Sequence, residues 1–498
     1  MIRFFRPLTS MSLMLDHALF GSSAVGYHLT SLLLWVCLLA TLHWTYRGLG
    51  LSGGLALAAL AFFAVSSSAV LPVAWLANRN TLLEVVFTVG AVGVAGRACC
   101  AASVAGALLL AVLAALCKES GIVAFPLVAA GLLAARHAGR FRRPAWADVG
   151  MITALLLAVA HLAFLALAGY GTKSLFYASP WGDPVRFATQ LGINASTGML
   201  SLASPFPSDL VAIMPALVPG AVALSVVVVV PLAVWIWRAA ADHPTRGLLG
   251  LWCVLSVLPQ GAPPPSDRLW LGAAVGCSGL FALAAARALG PGQTRGSRRA
   301  GIALVASAGV ASAFFVLVQE LAIGQMSRDL RATILAADVG PTEVGRRDLF
   351  VLQADNALIP ISMASTLAIE AGDENLRVWL MQTGRRALEW KRVDERTFEL
   401  ASRDHPFLTD MFEIVYLAEP VDPVVGATWD TELFTVTALE FDDEGGLLRF
   451  RWQFADDLDP VRSRFLVPRD GRLTAIEPPA VGETLTLESV VPQNPFTP

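Results

Sequence analysis

The chain has 498 residues, of which 55% are apolar and only 15% are charged, and its mean hydropathy is +0.61. Soluble globular enzymes and disordered chains both need a more polar surface, so this composition excludes them and indicates an integral membrane protein. The formal net charge of −3 conceals a division, because residues 1–325 carry 19 basic and 9 acidic side chains whereas residues 326–498 carry 17 basic and 30 acidic ones.

The two parts of the chain are therefore expected to have different solvents. Residues 1–325 predict a lipid-embedded domain, and residues 326–498 predict an acidic, water-exposed domain. We expect no nucleic-acid partner, because the basic residues of the first part lie in short loops rather than along a continuous stripe. All six cysteines fall in apolar runs of the first part, where a thiol packs as a small hydrophobe, and no Cys/His spacing suggests zinc.

Ten apolar runs predict membrane-spanning helices, each of which needs about 20 mostly apolar residues. In chain order they lie near residues 28–46, 50–69, 81–97, 101–117, 120–135, 147–169, 210–237, 247–259, 269–289 and 301–320. A further run, 185–204, contains Arg186, Gln190 and Asn194 and predicts an interfacial or re-entrant helix. The predicted fold of this part is an α-helical polytopic membrane bundle of about ten transmembrane helices.

The loops alternate in basic content, which the positive-inside rule converts into an orientation. The loops predicted to be cytoplasmic contain Arg47, Arg97, Arg136, Arg140, Arg142, Arg143, Arg238, Arg246, Arg287, Arg295, Arg298 and Arg299. The remaining loops, near 70–80, 117–120, 170–209 and 259–268, are poorer in basic residues and are predicted to face outward. With ten spans, both termini lie outside. We therefore expect a multi-pass protein of a bacterial inner membrane with an extracytoplasmic C-terminal domain.

An outward N-terminus requires translocation, yet residues 1–26 contain no signal peptide. We therefore expect one further membrane helix upstream of Met1. The alternative is that a short charged tail crosses the membrane unaided.

Residues 326–498 have a β-rich pattern. Between Leu448 and Phe454 apolar and polar residues alternate with a period of two, and a turn at 442–446 joins this strand to another near 432–441. Further strands are predicted near residues 349–353, 376–382, 395–400, 412–418, 463–468 and 483–488. The expected architecture is a small all-β domain, an antiparallel sandwich or barrel.

Candidate functional residues are the polar groups at the predicted outer face, because an ionisable side chain at membrane depth is costly and is usually kept for a function. They are Arg6, Asp16, His17, His28, Arg79, Glu84, Lys118, Glu119, Asp267 and Arg268. Arg79, Lys118 and Arg268 end different spans, so together they could form a cationic pocket for a phosphate at the headgroup level. Each of them alone is also compatible with snorkelling to the membrane interface.

Four groups of short segments carry a resemblance to a known family. They are Arg6–Thr9 with Leu15–Asp16, Leu19–Gly21 and Gly26–Leu34; Val73–Trp75 with Asn78–Arg79; Leu116–Ser120 with Pro126; and Asp267–Leu271 with Gly276. In this order they resemble the outer loops of polyprenyl-phosphate-dependent glycosyltransferases of the C superfamily, in particular the protein O-mannosyltransferase-like group. Its Ser-Lys-Glu turn corresponds to the third group and its Asp-Arg-Tyr segment to the fourth.

The resemblance implies an enzyme that moves a sugar from a polyprenyl-phosphate donor to a protein, lipid or glycan acceptor on the outer face of the bilayer. Such inverting transfer needs a carboxylate that deprotonates the acceptor hydroxyl and a cationic site that stabilises the leaving phosphate. A divalent metal could share the second task. The substrate-binding residues that the resemblance implies are Arg6, His28, Arg79, Lys118, Glu119, Asp267 and Arg268.

The sequence departs from the family at several positions. The family's usual base follows the first membrane helix, a place upstream of Met1 here, which leaves Asp16 as the candidate base; capping, or pairing with Arg6, is the alternative for Asp16. Leu71 replaces an acidic residue of an outer loop, and Ser31 and Trp35 stand where Asn and His are common. These departures leave open a second interpretation, a non-catalytic membrane scaffold or pseudoenzyme of the same fold.

A third interpretation, a secondary transporter, predicts two-fold internal repeats and charged residues at mid-membrane. The sequence shows neither, and this interpretation ranks last.

Overall fold

A computed structural model describes residues 4–170, 175–341, 345–382, 386–409, 411–414, 417 and 422–490, with the backbone alone described at 213 and 411. The chain forms two compact units. The helical unit comprises Ile2–Lys173 and Tyr177–Leu321, and the β unit comprises Ala322–Pro498 with Ser174–Phe176 and Met1.

The helical unit consists of α-helices joined by short turns and 3-10 segments. The helices are α1 (Pro7–Phe20), α2 (Ala24–Gly48), α3 (Gly53–Ala64), α4 (Val70–Ala74), α5 (Arg79–Ala95), α6 (Ala101–Cys117), α7 (Ala124–His137), α8 (Ala145–Ala168), α9 (Pro184–Ala203), α10 (Asp209–Ile213), α11 (Val218–Ala239), α12 (Arg246–Val257), α13 (Leu271–Leu289), α14 (Arg295–Leu304) and α15 (Ser312–Leu335), of which α15 belongs to this unit only as far as Leu321. A π-helical segment, Val305–Ala311, joins α14 to α15.

Six helical segments in the described part of the chain are long and apolar enough to cross a membrane, and one bent pair could make a seventh span. The six are Ala24–Gly48, Glu119–His137, Ala145–Ala168, Pro215–Ala239, Asp267–Leu289 and Arg295–Leu335. In the bent pair, Gly53–Ala64 and Ser67–Ala74 meet at 65°. The N-terminal region is thus helical and carries multiple candidate membrane spans, which indicates an integral multi-pass membrane protein.

All ten predicted spans fall on helices, but three of them lie on short helices that are not among the candidate spans. Helices α5 and α6 have 17 residues each and α12 has 12. At 1.5 Å per residue α12 rises only about 18 Å, against a hydrocarbon core of about 30 Å. The run predicted as an interfacial or re-entrant helix is α9, which is not among the candidate spans.

Helix α13 lies at the centre of the helical unit, and 83% of its most apolar window is buried. Its small residues allow close packing. A Cβ on Gly276 would lie 2.5 Å from the carbonyl oxygen of Leu249, so α12 approaches α13 at a distance that only glycine permits. Gly198 of α9 is equally restricted, because its Cβ would lie 1.7 Å from the ring of Trp270. The first contact packs α13 against α12, and the second packs α9 against the segment that precedes α13.

The β unit contains two sheets. Its strands are β1 (Arg347–Val351), β2 (Leu376–Leu380), β3 (Leu388–Arg392), β4 (Thr397–Ser402), β5 (Thr428–Asp430), β6 (Phe434–Phe441), β7 (Leu447–Phe454), β8 (Ser463–Arg469), β9 (Arg472–Ile476) and β10 (Thr484–Leu487), with helices α16 (Leu358–Ala371) and α17 (Met411–Ile414). One sheet has the order β2-β1-β8-β9 and the other β10-β3-β4-β7-β6-β5. A core of mainly aromatic side chains, including Phe350, Trp390, Trp452 and Phe465, draws on both sheets.

The β-rich prediction is confirmed, and the six-stranded sheet is antiparallel as expected. The four-stranded sheet differs from the prediction, because β1 pairs in parallel with both β2 and β8. Parallel neighbours need a crossover connection, which α16 provides between β1 and β2. The domain is therefore an antiparallel sheet combined with a mixed sheet and a helix.

The predicted hairpin near 432–454 is confirmed as β6 and β7. Asp442 stabilises the turn between these strands, because its side chain accepts hydrogen bonds from the backbone N–H groups of Glu444 and Gly446. Phe450, Trp452 and Phe454 are buried, as the alternation predicts, whereas Leu448 is only half-buried. The prediction of a strand near 412–418 is wrong at residues 412–414, which are helical. Residues up to Ile414 form the end of α17, and 415, 416 and 418 lie outside the described residues.

Candidate anion-binding site

The first feature at the predicted outer face is a buried ion pair between α1 and α5. Arg79 is 0% exposed and Asp16 is 2% exposed, and Arg79 Nη1 donates to the Asp16 carboxylate. The other Arg79 nitrogens donate to Ser31 Oγ (3.3 Å) and to the Tyr27 carbonyl (2.7 Å), while Thr30 Oγ1 donates to Asp16 (2.8 Å). These partners use up the guanidinium and the carboxylate, and they fasten α1 to α2 and α5.

The structure bears on the sequence predictions for three site residues, Arg79, Asp16 and His28. Arg79 is enclosed and paired, so it does not contribute to a cationic pocket for a phosphate. Asp16 pairs with Arg79 and not with Arg6, and its burial favours a structural role over that of a catalytic base. His28 is exposed on α2.

A second ion pair lies where α1 begins. The Arg6 guanidinium contacts Glu119 through two nitrogens at 2.7–3.1 Å, and both side chains are about one quarter exposed. Thr9 Oγ1 donates to the Cys117 carbonyl at 2.9 Å, which ties α1 to the end of α6. The bidentate geometry is the strong form of an Arg–carboxylate contact. It holds Arg6 beside the turn that contains Lys118.

Lys118 occupies the break between α6 and the 3-10 segment Glu119–Val123, where its backbone is extended (φ −158°, ψ 151°). The turn needs Gly121, because a Cβ there would lie 2.2 Å from the Ala114 carbonyl oxygen. The Lys118 side chain is half-buried, and its Nζ donates to Thr81 Oγ1 at 2.9 Å. Among the residues that the structure describes, it forms no salt bridge.

Arg268, like Lys118, forms no salt bridge with the residues that the structure describes. It is half-buried in the 3-10 segment Asp267–Trp270, and its guanidinium lies 5.0 Å from the centre of the Trp75 ring. This is a cation–π distance. Trp75 is itself 48% exposed and lies in the break after α4, so the ring forms one open wall beside Arg268.

Asp267 is fully buried and acts as a clamp. Its Oδ1 accepts hydrogen bonds from Ser201 Oγ (2.7 Å), Ser208 N (2.9 Å) and Ser208 Oγ (2.6 Å), while its backbone N–H donates to Asp209 Oδ2 (3.2 Å). Among the described residues its buried Oδ2 has no hydrogen-bond partner. Asp267 therefore holds the segment before α10 against the turn that carries Arg268.

The structure brings together four of the predicted site residues. Lys118 is close enough to Arg6, Arg268 and Glu119 to interact with their charges. Arg79, Asp16 and His28 are not part of this group, and Asp267 stabilises the turn that carries Arg268. Arg6, Lys118 and Arg268 thus form a cluster of three cations. Lys118 and Arg268 have no salt bridge among the described residues. Such a cluster can bind an anion.

Sequence reasoning underestimated three residues near this cluster. Tyr177 and Asp209 interact electrostatically with Arg268, and Glu84 interacts with Lys118. Asp209 lies in a predicted outer loop rich in Ser and Pro, and its charge was the available signal. Tyr177 gave no such signal. Glu84 is 6% exposed within α5, which makes it a charged residue inside a predicted span.

No group of three or more His, Cys, Asp or Glu side chains in the described ranges could hold a metal ion. Asp209, which interacts electrostatically with Arg268, accepts a hydrogen bond from the backbone N–H of Asp267. The geometry therefore supports anion binding by side-chain cations more directly than binding through a metal.

No protein-family model, curated protein or solved structure matches this chain. The site is therefore interpreted from its own geometry and from its short motifs.

Proposed function

We propose that the helical unit binds the phosphate of a polyprenyl-phosphate-linked sugar between Lys118 and Arg268, and transfers the sugar to a protein, lipid or glycan hydroxyl. The proposal places this reaction at the outer face of a bacterial inner membrane, with the β unit on the same side. Its family would be that of the polyprenyl-phosphate-dependent glycosyltransferases of the C superfamily.

The observation that carries the proposal is the pair of half-buried cations without salt bridges. Withdrawing charge from water is costly unless a partner compensates it, and Arg79 and Arg6 form salt bridges with carboxylates while Lys118 and Arg268 form none with the described residues. A phosphate supplies negative charge and several acceptor oxygens at once. Arg268 can present a planar fork to it, and Lys118 a compact point charge.

The surroundings favour a lipid phosphate over a free anion. Lys118 immediately precedes the segment Glu119–His137, and Arg268 lies in the first turn of the segment Asp267–Leu289; both segments are apolar enough to cross a membrane. Trp75 beside Arg268 is partly exposed, and an indole ring suits the boundary between chain and headgroup. The motif order around Arg6, Lys118 and Arg268 gives independent support.

Asp209 is the residue that we expect to accept the acceptor's proton. Asp16 and Glu119 are ion-paired and Asp267 is clamped by serines, whereas Asp209 is half-buried beside Arg268. In the proposed reaction the acceptor oxygen bonds to the anomeric carbon and the bond from that carbon to the phosphate oxygen breaks. The proton goes to the Asp209 carboxylate.

The test is sugar transfer by purified protein in nanodiscs, with undecaprenyl-phosphate-linked hexoses as donors and membrane extract as acceptor. Lys118→Ala and Arg268→Ala should each abolish transfer while leaving membrane insertion intact. Asp209→Asn should lower transfer by about a hundredfold, within the usual range for loss of a general base. The matched control is Arg136→Ala, which removes a cation from an exposed pair with Asp148.

Unchanged transfer in both Lys118→Ala and Arg268→Ala would overturn the phosphate site. Binding of undecaprenyl phosphate without any transfer would favour the alternative, a non-catalytic scaffold. The buried pairing of Asp16 is the observation that keeps this alternative in place, because it removes the candidate base of the first loop.

A further inference from the structure

A small, partly enclosed cavity has Lys118 among its lining residues. It has a volume of about 20 Å³ and is bounded by α5, the 3-10 segment Glu119–Val123, α12 and α13. Its polar lining consists of Thr81, Glu84, Thr88, Lys118, Ser120, Ser256 and Gln260. Such a concentration of polar groups inside an apolar helical unit calls for a ligand or a bound water.

Glu84 is the main unexplained group in this cavity. Its side chain is buried, it accepts a hydrogen bond from Thr88 Oγ1 at 3.3 Å, and it forms no salt bridge with any cation in the described ranges. Ser120, which also lines the cavity, interacts with Glu84, but its buried Oγ has no partner within hydrogen-bond geometry among the described residues. A buried carboxylate with so few close partners is costly unless something else compensates it.

The volume identifies the ligand. A single water molecule needs a cavity of about 10–15 Å³, so the volume is sufficient for one water. A sugar ring is several times larger and does not fit. Glu84 is therefore not placed to act on a hexose or its acceptor, and its role must be exercised through Lys118.

The charges around Lys118 show what that role is. Arg6 and Arg268 oppose its positive charge, while Glu84 and Glu119 favour it. Glu119 is already committed to Arg6. Glu84 is thus the carboxylate left to compensate Lys118 within a group of three cations.

We propose that one water in this cavity bridges the Glu84 carboxylate and the Lys118 ammonium, and that Glu84 thereby keeps Lys118 charged and directed at the anion site. Glu84 is then a positioning residue. This inference rests on the proposed function, because it takes the lipid phosphate as the ligand of Lys118.

The experiment measures binding of undecaprenyl phosphate to the full-length protein in nanodiscs by native mass spectrometry. Glu84→Gln keeps the shape of the side chain and should weaken binding about tenfold, the equivalent of 1.4 kcal/mol. Glu84→Asp keeps the charge and should retain more binding than Glu84→Gln. In a Lys118→Ala background Glu84→Gln should have no further effect, because the interaction it removes is then absent.

A second variant tests the water without changing any charge. A Cβ on Gly272, which lines the cavity, would meet Ser256 Oγ at 3.5 Å, an ordinary contact. Gly272→Ala should displace the water and weaken binding in the same direction as Glu84→Gln. The matched control is Gly90→Ala in α5, whose Cβ would meet Leu110 at 3.6 Å away from the cavity, and it should bind like the wild type.

Unchanged binding in Glu84→Gln and Gly272→Ala would overturn the inference, as would an equal loss from Glu84→Gln with and without Lys118. In these cases wild-type binding still supports the proposed function. Failure of the wild type to prefer undecaprenyl phosphate over undecaprenol would instead overturn the proposed function itself, and with it the role of Glu84.

Discussion

Two cationic regions of the helical unit have similar sequence signals and different structures. Arg79 lies at the start of a helix next to a predicted outer loop, as Lys118 and Arg268 do, but it is fully enclosed and paired with Asp16. Lys118 and Arg268 are half-buried and have no salt bridge among the described residues. The comparison shows that position at a helix end does not separate an enclosed, paired cation from an accessible, unpaired one. The proposed function rests on this difference in burial and pairing.

The largest effect is expected in the enclosed pair. Asp16→Ala leaves Arg79 buried without its counter-charge, and removing one member of a buried pair typically costs about 3–5 kcal/mol. Thermal unfolding in detergent should show a large fall in Tm. A fall no greater than that of the exposed-pair control Arg136→Ala would mean that the two regions do not differ as described.

The second expected effect is on ligand binding and not on stability. Arg268→Ala should leave Tm near the wild-type value, since the guanidinium is half-buried and forms no salt bridge in the described chain. Binding of undecaprenyl phosphate should fall by roughly ten- to a hundredfold, as expected for loss of a hydrogen bond to a charged group. Loss of stability with intact binding would assign Arg268 to the structural class.

A smaller effect is expected at Trp75, because the ring contacts Arg268 and only orients it. Trp75→Leu removes a cation–π interaction of about 0.5–1 kcal/mol, which corresponds to a two- to fivefold loss of phosphate binding. Titration with undecaprenyl phosphate measures it. A loss as large as that of Arg268→Ala would indicate that Trp75 contacts the lipid itself.

The smallest effect is expected at His28, which is exposed on α2. His28→Ala should change neither Tm nor phosphate binding measurably, since exposed substitutions without partners usually stay within about 0.5 kcal/mol. The same two assays apply. Weakened binding would restore His28 to the site.

The sequence predicted those features that depend on local patterning. The β6–β7 hairpin follows from alternation between Leu447 and Phe454 and from the turn at Asp442. The parallel pairing of β1 with β8 joins Asp348 to Ser463 across more than a hundred residues, and no local pattern specifies it. The three short helices within predicted spans have apolar sequences like the others, so composition alone did not separate them.

The candidate site, like the fold, was predictable only where it depends on local sequence patterns. Lys118 and Arg268 could be proposed because charges at the ends of apolar runs are conspicuous. The pairing of Arg79 with Asp16 could not, because it depends on how α1 packs against α5. The cavity that joins Glu84 to Lys118 depends on the packing of four elements and has no sequence signature.

The most direct test of the account is a cryo-electron microscopy structure of the full-length protein in nanodiscs with undecaprenyl phosphate. The account predicts phosphate density within hydrogen-bond distance of Lys118 Nζ and the Arg268 guanidinium, with Arg79 still paired to Asp16. Phosphate density at any other place, or contact with Arg79 in place of these two residues, would contradict it.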